Sequence, residues 1–401
     1  MKSNREHIVI VGGGPVGLSF ALAAARLPGF DVTIIERNPL LDQKGHAISQ
    51  SDATFDHRVY ALSPQAVAFL TELGVWQHIP ATRCTPIDAM RVFSDTENQA
   101  KLPAFTFDEG VPLAHIVELQ SLITALVAEV MASDIQVIAG DALLAMAPAG
   151  PNQSGQKITL ISGKIINASL LIGADGRASQ VRRLANIDVT EKDYESDAIV
   201  ANFHAKTPHG NIARQWFSNA GVMAYLPLPQ NQISIVWSTA HDNARRWQAM
   251  DDDEFCTAVG AQGKDSLGKL KLASGRDAFA LKRIQALEWV QPGVALMGDA
   301  AHAIHPLAGQ GVNLGFGDAQ QLAAELIHKS SLSAAGDLAV LRRYARKRIE
   351  SATLMAGTTD YLQGLFKRND TVAKWLRQDG FMWFDRISVV KRLAAQYAVR
   401  A

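Results

Sequence analysis

The sequence predicts an α/β fold in which a Rossmann-like, mainly parallel sheet carries an inserted antiparallel sheet and is followed by C-terminal helices. The chain opens with an apolar β-branched run at 8–11, a glycine-rich turn, a helical pattern at 18–27 and a second strand at 32–35, which indicates a βαβ unit. Residues 188–275 contain short alternating runs separated by turn residues, a pattern typical of antiparallel strands. Helical periodicity dominates from residue 338 onward.

Composition narrows the function classes. The 401 residues, 48% of them hydrophobic, are enough for a large core and for two or more domains. Because 39 basic residues balance 39 acidic ones, the charge argues against a nucleic-acid-binding protein. The cysteines, Cys84 and Cys256, imply neither a disulfide framework nor a metal knuckle and suit a reducing cytosol. The polar N-terminus does not resemble a signal peptide, and no apolar run reaches the roughly 18 residues of a membrane span, so we expect a cytoplasmic protein.

The first motif, Gly12-x-Gly14-x-x-Gly17, lies between a predicted strand and a predicted helix, and Glu36 ends the next predicted strand. In such a unit the first glycine makes a tight turn, the second lets the backbone approach a pyrophosphate and the third allows close helix–strand packing. Glu36 is placed to accept hydrogen bonds from ribose hydroxyls. We therefore predict adenine-dinucleotide binding; the alternative is a glycine-rich turn in an unrelated α/β protein.

The motif alone does not choose between NAD and FAD, but the order of the chain favours FAD. An NAD dehydrogenase normally completes its nucleotide-binding sheet before the chain leaves it. Here the chain leaves soon after Glu36 and returns to glycine-rich turns near residues 175 and 300. This discontinuity predicts one extended dinucleotide that several distant segments bind.

A second glycine-rich stretch runs from His305 to Asp318, between an apolar strand pattern at 294–299 and a helical pattern at 314–327. Gly309 and Gly311 permit backbone angles that other residues resist. The first N–H groups of the helix favour negative charge. A ligand that becomes anionic and needs close backbone contact, such as a reduced flavin ring, fits this loop.

Three weaker signals keep two interpretations each. Arg58 precedes a predicted helix and faces either a phosphate or flavin edge, or solvent. Gln120 lies near the start of another predicted helix and reaches the pyrophosphate or ribityl chain, or is exposed. Asp175-Gly176 is either an ordinary turn or, with the arginines that follow, a phosphate-side turn. His302 and His305 have no acid or cysteine at ligand spacing, so no metal site is predicted.

Several further elements follow from periodicity. We predict helices at 64–73, 113–132 and 247–260, a hairpin arm at 157–166, a strand at 281–284 that returns the chain to the nucleotide domain, and a long helix beginning at Tyr344. Apolar side chains on the inner face of the antiparallel sheet line a pocket for a greasy substrate or are plain core. An imperfect apolar stripe lies near the C-terminus: Phe381, Trp383, Phe384, Ile387, Val390, Leu393, Ala394 and Tyr397. It docks on a membrane surface, or packs on its own protein or a partner.

Together, the first motif, Asp175-Gly176, Gly298-Asp299 and the His305–Asp318 stretch resemble the FAD-dependent aromatic hydroxylases of the p-hydroxybenzoate hydroxylase type. The pattern His-Pro-Leu-Ala-Gly-Gln-Gly-x-Asn-x-Gly-x-x-Asp looks like the signature of the ubiquinone-biosynthesis (UbiH/UbiF/VisC) hydroxylases. Two shorter patterns, Asp56-x-Arg58 and Tyr344-x-x-x-Arg348, match the same subgroup. The resemblance covers essentially the whole chain.

The resemblance implies a set of site residues. Its cofactor-binding positions are Gly12, Gly14, Val16, Gly17, Glu36, Arg37, Arg58, Gln120, Asp175, Gly176, Asp299, Pro306, Gly311, Val312 and Asn313. Its catalytic positions are the flavin-ring loop Pro306, Gly309, Gln310 and Gly311, together with Arg58. It implies no metal. It divides the chain into an FAD-binding domain (1–74, 108–187 and 276–337), a substrate domain (75–107 and 188–275) and a C-terminal helical region (338–401).

The resemblance also implies the chemistry. NAD(P)H reduces the FAD, dioxygen forms a C4a-hydroperoxyflavin, and one oxygen atom is transferred to the ring of a polyprenylated phenol in ubiquinone biosynthesis. Contact with the inner face of the membrane and a place in a biosynthetic complex are further expectations. The alternatives are a flavin enzyme acting on a soluble aromatic substrate, and a non-catalytic FAD-binding component. A halogenase is disfavoured because its Trp-x-Trp-x-Ile motif is absent. The ring carbon, NADH or NADPH preference, prenyl length and oligomeric state stay open.

Overall fold

The computed structural model of the chain describes residues 5–40, 55–94, 105–108, 110–150, 155–218, 220–303 and 311–367. Its strands are β1 (Glu6–Val11), β2 (Phe30–Glu36), β3 (Val59–Leu62), β4 (Cys84–Ile87), β5 (Ala89–Ser94), β6 (Phe105–Phe107), β7 (Ala114–Glu118), β8 (Gln136–Ala139), β9 (Leu143–Pro148), β10 (Gln156–Leu160), β11 (Ile165–Ala168), β12 (Leu170–Gly173), β13 (Val189–Ala205), β14 (Ile212–Ser218), β15 (Gly221–Leu228), β16 (Gln232–Ala240), β17 (Leu270–Leu272), β18 (Asp277–Ala286), β19 (Val290–Gln291), β20 (Val294–Leu296) and β21 (His302–Ala303).

The helices lie mainly around the parallel sheet and at the end of the described chain. They are α1 (Pro15–Ala25), α2 (Pro64–Glu72), α3 (Leu119–Met131), α4 (Gln180–Leu184), α5 (His241–Ala249), α6 (Asp252–Gln262), α7 (Gly311–Ile327) and α8 (Leu338–Lys367). Short 3-10 turns occur at Trp76–His78, Ala81–Arg83 and Gly298–Ala300. Among the described residues, no helix has the length and apolarity needed to cross a membrane.

The nucleotide-binding sheet has the strand order β19-β20-β12-β1-β2-β8 and is parallel except at β19. Strand β1 is buried because its β-branched residues pack on both faces of the sheet, as is usual for parallel strands. Val11 pairs with Gly173, and Gly173 pairs with Leu296, so β1, β12 and β20 end side by side. The turns after these strands, at Gly12, Asp175 and Asp299, therefore meet at one edge of the sheet, where doubly wound folds bind ligands.

A large sheet lies beside it, with the order β21-β18-β13-β16-β15-β14-β5-β6 and β17 paired to β13. Its pairs are antiparallel except β14 with β5. One face packs against α5 and α6 through a core that includes Trp237, Trp247 and Phe255. Part of the other face packs against the small sheet β3-β7-β4. The predicted antiparallel insertion is therefore a layer with its own core, and the predicted fold class is confirmed.

Several predicted element bounds differ from the structure. Residues 114–118 form β7, and the helix predicted from 113 begins at Leu119, because these buried residues pair with β3 and β4. The helix predicted at 247–260 is replaced by α5 and α6, since the Asp251 carboxylate accepts the N–H of Glu254 and begins a new helix. Residues 281–284, which were predicted to return the chain to the nucleotide domain, belong to β18, and β18 pairs with β13 in the large sheet. The long helix begins at Leu338 rather than Tyr344. The predicted domain boundaries stay predictions.

Candidate active site

The glycine-rich turn after β1 has no room for side chains at two positions. Gly12 has φ +116° and donates its N–H to the carbonyl of Ile35 at 2.9 Å. A Cβ at Gly12 would lie 2.3 Å from the carbonyl oxygen of Ala174, and one at Gly17 would lie 2.0 Å from the carbonyl oxygen of Gly12. Both glycines therefore serve the turn and the close approach of α1 to the strand ends.

Gly14 differs from Gly12 and Gly17, because no atom of the described residues lies within 4 Å of a Cβ built on Gly14. Gly14 is the N-cap of α1, Pro15 follows, and neither a side-chain cap nor an acidic residue occupies the first turn. The first amides of α1 thus face open space, where the helix dipole favours an anion. This opening fits the pyrophosphate of a dinucleotide, which a side chain at Gly14 would obstruct.

The carboxylate of Glu36 lies at the rim of this opening. Its Oε2 accepts the N–H of Gly13 at 2.6 Å, and its Oε1 accepts the N–H of Asn38 at 2.9 Å. Each oxygen keeps a lone pair for a further donor. Glu36 is thus held where a ribose could bind, while the neighbouring Arg37 is exposed.

In the Asp175–Gly176 turn, the Asp175 carboxylate also binds backbone N–H groups of the protein itself. Asp175 Oδ2 accepts the N–H groups of Gln180 at 2.6 Å and Val181 at 3.2 Å, which caps α4. The other oxygen, Oδ1, is buried and has no hydrogen-bond partner among the described residues. Gly176 has φ +78°, a region that favours glycine. One carboxylate oxygen therefore supports the turn and the other is left for a ligand.

The turn after β20 is fastened to α4 by arginines. Arg182 is buried and donates to the carbonyl of Ala300 at 2.8 Å and to that of Arg177 at 2.7 Å. Burial lowers the pKa of its guanidinium. Asp299 accepts from Arg177 Nε at 3.1 Å, and its side chain keeps 41% of its exposure. Asp299 is therefore positioned by the protein and still accessible to a cofactor.

Tyr60 joins this group, although its position gave no sequence signal. Burial raises the pKa of its phenol to about 12, and the nearby Asp299 carboxylate adds to that rise, while Arg58 acts in the opposite direction. Tyr60 is therefore within electrostatic reach of both Arg58 and Asp299, although these two residues are far apart in sequence. A tyrosine in an alternating strand is usually packing, so the pattern could not single it out.

The segment that carries Arg58 is held by a buried carboxylate. Glu118, at the end of β7, accepts the N–H of Asp56 and a hydrogen bond from Arg83 at 3.2 Å. Burial raises the pKa of Glu118, although those donors favour its ionised form. Asp56 accepts the N–H of Arg58 at 2.9 Å, while the Arg58 side chain is exposed. Gln120 follows in the first turn of α3, so both residues assigned to the flavin lie on one anchored junction.

The start of α7 presents backbone rather than side chains. No atom of the described residues lies within 4 Å of a Cβ built on Gly311. Asn313 accepts the N–H of Ser63 at 3.1 Å and donates to the carbonyl of Ala61 at 2.8 Å, and Val312 is buried in the core. The predicted roles of these residues at the cofactor therefore concern their N–H groups. Pro306, Gly309 and Gln310 lie outside the described residues.

Beneath this helix start lies a charged network that the sequence did not predict. Asp318 is fully buried and accepts from His302 Nε2 at 2.6 Å, from Arg348 Nε at 2.7 Å and from the N–H of Gly298 at 2.9 Å. Burial opposes its ionisation, but His302 and Arg348 outweigh burial and lower its pKa. Asp318 and Arg348 ended two motifs, but their pairing across 30 positions carried no sequence signal.

The first turn of α1 packs directly on this junction. A Cβ at Gly315 would lie 2.3 Å from Val16 Cγ2, and one at Gly298 would lie 3.2 Å from the same atom. The Val16 side chain thus packs into the space that Gly315 of α7 and Gly298 in the turn after β20 leave open. Tyr344 of α8 closes the other side by donating its hydroxyl to the carbonyl of Leu296 at 2.8 Å. The two glycine-rich helix starts therefore lie next to each other, as one extended cofactor requires.

Comparisons with known proteins agree with this site. The family model described as "FAD binding domain" matches residues 5–358. The chain is 34% identical over 408 residues to the 3-demethoxyubiquinol 3-hydroxylase of Escherichia coli (strain K12), covering 100% of both chains. It is 31% identical to the mitochondrial ubiquinone biosynthesis monooxygenase COQ6 of Mus musculus, covering 98% of this chain and 90% of that protein.

Solved structures share the fold at lower identity. The crystal structure of PqsL, a probable FAD-dependent monooxygenase from Pseudomonas aeruginosa, superposes with a TM-score of 0.75 at 20% identity, covering 94% of this chain and 100% of that one. The p-nitrophenol 4-monooxygenase PnpA from Pseudomonas putida DLL-E4 gives a TM-score of 0.75 at 17% identity, with 98% of each chain covered. These likenesses concern the fold alone.

Proposed function

Because this chain belongs to the family of FAD-dependent monooxygenases that contains the ubiquinone-biosynthesis hydroxylases, we propose that it hydroxylates the aromatic ring of a polyprenylated phenol in that pathway. Two relatives named for this pathway are at least 31% identical to the chain over nearly its whole length. The proposed reductant is NAD(P)H, and the proposed source of oxygen is O2.

The observation that carries the proposal is the adjacency of the two open helix starts. The amides of α1 face an opening at Gly14, and α7 begins at Gly311, where a Cβ also meets no atom of the described residues within 4 Å. Val16 joins the two helices. The first opening suits a pyrophosphate and the second suits a ring that carries negative charge. A protein that bound only a mononucleotide would need one such opening.

The protein's own groups then have distinct tasks. FAD, when bound, supplies the redox chemistry that takes electrons from NAD(P)H and delivers one oxygen atom of O2 to the ring. Asp299 and the first amides of α1 hold the cofactor. The N–H groups that begin α7 stabilise negative charge beside the ring. The apolar layer between the small and large sheets, which includes Phe55, Ile116 and Leu226, keeps water from the space next to it.

Purified protein tests the proposal. We expect stoichiometric FAD and NAD(P)H oxidation stimulated by ortho-geranylphenol, a short-chain prenylated phenol. Under isotopically heavy dioxygen, the product should gain one heavy oxygen atom on the ring. A soluble control, p-hydroxybenzoate, should neither stimulate oxidation nor be hydroxylated. Hydroxylation of the soluble acid alone would assign the protein to soluble aromatic substrates, and absence of bound FAD would contradict the proposal altogether.

A polyprenyl chain partitions into lipid, so we also propose that the protein works at the inner face of the membrane without spanning it. The apolar stripe predicted at 381–397 is the proposed contact and lies outside the described residues. Flotation with vesicles of anionic lipid tests this. We expect the full chain to float and a Trp383→Glu, Phe384→Glu variant to remain at the bottom of the gradient. Equal flotation of both proteins would contradict the contact.

A further inference from the structure

The large sheet carries a mostly buried glutamine. Gln215 lies in the middle of β14 and is 6% exposed. Its side chain makes no hydrogen bond to any residue that the structure describes. The Gln215 amide is not among the fully enclosed polar atoms that lack a partner, so it keeps access to the space beside the sheet although most of the residue is buried.

The direction of Gln215 follows from the regular pairing of its strand. Trp216 and its neighbour Met223 belong to the core beneath α5 and α6. Because side chains alternate along a strand, Gln215 points to the opposite face. Its register partner Ala224, on β15, belongs to the cluster that packs against Phe55 and Ala61. Gln215 therefore faces the side of the sheet from which Arg58 and Tyr60 reach the cofactor site.

The neighbours of Gln215 on this face form a flat, apolar surface. Val92, Ala224 and Val236 lie in its cross-strand row. The next row carries Phe217 and Val222. Apart from the phenylalanine these side chains are small, and both valines of β15 and β16 are only partly buried. A planar aromatic ring can lie against such a surface, and Gln215 would be the polar group at its edge.

Ser234 provides an internal contrast. Its hydroxyl also lacks a hydrogen-bond partner among the described residues and points to the same face. However, Ser234 is 0% exposed, next to Asn202, which binds the carbonyl oxygens of Phe55 and Asp56. Ser234 is thus sealed beneath the protein's own chain, whereas Gln215 keeps access to the space beside it.

We propose that Gln215 binds the phenolic oxygen of the aromatic substrate and so sets which ring carbon faces the flavin; this rests on the function proposed above. The amide suits the task because it offers both a donor and an acceptor to a hydroxyl. A carboxylate-binding arginine is not required, since a prenylated phenol carries no acid group. Gln215 acts as a substrate-binding residue and not as an acid or a base.

The test compares ortho-geranylphenol with its methyl ether, ortho-geranylanisole, on the FAD-loaded protein. Dissociation constants are measured from the change in flavin fluorescence on binding. We expect the wild-type protein to bind the phenol roughly tenfold more tightly than the ether, the worth of one or two hydrogen bonds. In Gln215→Met, which keeps the side-chain length, the two affinities should become equal while that for the ether is unchanged. Ser234→Ala is the matched control and should keep the tenfold preference.

The outcomes separate the two proposals. If the wild-type protein hydroxylates the phenol but binds the ether equally well, the role of Gln215 is overturned and the proposed function stands; this needs no variant to fold. If Gln215→Met keeps the preference, the same conclusion follows. A change in the ring position hydroxylated by Gln215→Met would support the proposal further. If the wild-type protein neither binds nor hydroxylates the phenol, the function fails and the role of Gln215 fails with it.

Discussion

The starts of α1 and α7 both use glycine to bring backbone amides to an open space, yet they are held in place differently. At α1 the support is local, since Gly12, Gly14 and Gly17 act through backbone contacts, and Glu36 binds Gly13 from the next strand. At α7 the support comes from distant, buried side chains. Asn313 binds Ala61 and Ser63, and Asp318 binds His302 and Arg348.

This difference indicates at which positions a substitution should change FAD affinity without changing the free energy of unfolding. At α1 a glycine can be chosen whose replacement affects only the ligand. At α7 the polar side chains near the predicted cofactor site already make hydrogen bonds within the protein. Substitutions there should therefore act first on stability and only then on the cofactor. The following predictions test that contrast.

The largest loss is expected for Asp318→Asn. The change leaves the guanidinium of Arg348 and the ring of His302 without their buried counter-charge. Breaking a buried ion pair costs about 3–5 kcal/mol, which urea denaturation should show as a fall in the free energy of unfolding. Asp31→Asn is the control. It loses a pair with Arg5 in which both side chains are at least half exposed, and should cost less than about 1 kcal/mol. Equal losses would contradict the special role of Asp318.

At α1, Gly17→Ala and Gly14→Ala should behave differently although each adds one methyl group. The added Cβ at Gly17 would lie 2.0 Å from the carbonyl oxygen of Gly12, so we expect a loss of about 3 kcal/mol. At Gly14 the space is open and φ is −78°, so the apoprotein should keep its stability and lose affinity for FAD. Thermal denaturation and flavin titration separate the two effects. An unchanged FAD affinity in Gly14→Ala would place the pyrophosphate elsewhere.

Asn313→Ala sharpens the contrast at α7. The variant leaves the carbonyl of Ala61 and the N–H of Ser63 without their partner, at a cost of about 2 kcal/mol. We expect this loss in the apoprotein, measured by urea denaturation. If the Asn313 side chain instead contacted the flavin, the apoprotein would be unaffected and only the FAD affinity would fall. Asn313→Asp should not restore stability, because a buried carboxylate oxygen would then face the carbonyl oxygen of Ala61.

Asp299→Ala should act mainly on the cofactor, because the carboxylate is accessible and its ion pair is with Arg177, which is itself 38% exposed. We expect a fall in FAD affinity of roughly tenfold, the worth of a hydrogen bond from a ligand to a charged group. Flavin titration measures it, and the free energy of unfolding of the apoprotein should change little. Full FAD stoichiometry with unchanged affinity would contradict the assignment of Asp299.

The smallest effect concerns Tyr60 and pH. Its pKa is raised to about 12 in the folded protein, whereas an unfolded tyrosine ionises near 10. The unfolded state therefore loses this proton first, and the free energy of unfolding should fall as pH rises from about 10 to 12. Tyr60→Phe should show a shallower fall. Asp299→Ala should lower the pKa of Tyr60, because the carboxylate raises it. An ultraviolet titration that shows no difference between these proteins would separate Tyr60 from Asp299.

The features that were predicted correctly from the sequence are those determined by residues close together in the chain. The βαβ unit and its glycines follow from rules of turn geometry that act within a few positions, and the strand and helix they join are where they were expected. The helix predicted from residue 113 was wrong at its start, because the pattern of residues 114–118 is too short to distinguish the two-residue period of a strand from the 3.6-residue period of a helix. Only their pairing with β3 and β4 decides the outcome.

Long-range polar contacts were beyond the sequence for a physical reason. A hydrogen bond between His302 and Asp318, or between Asn202 and Phe55, depends on the path of the whole chain and leaves no periodic trace. Tyr60 and Gln215 each stand in an ordinary strand pattern. Their environment, and not their identity, makes them candidates for the site. The assignments of all the predicted site residues, among them Arg58, Gln120 and the loop residues Pro306 to Gln310, stay predictions.

The most direct test of the central claim is a mass-spectrometric profile of the lipid-extracted quinones from cells that lack this gene. We predict less ubiquinone and the accumulation of a prenylated phenol that lacks one ring hydroxyl, with the structure of that phenol naming the carbon attacked. Re-expression of the wild-type chain should restore ubiquinone, and re-expression of the Gly17→Ala variant should not. A normal quinone profile, in a strain with no second gene of this family, would contradict the claim.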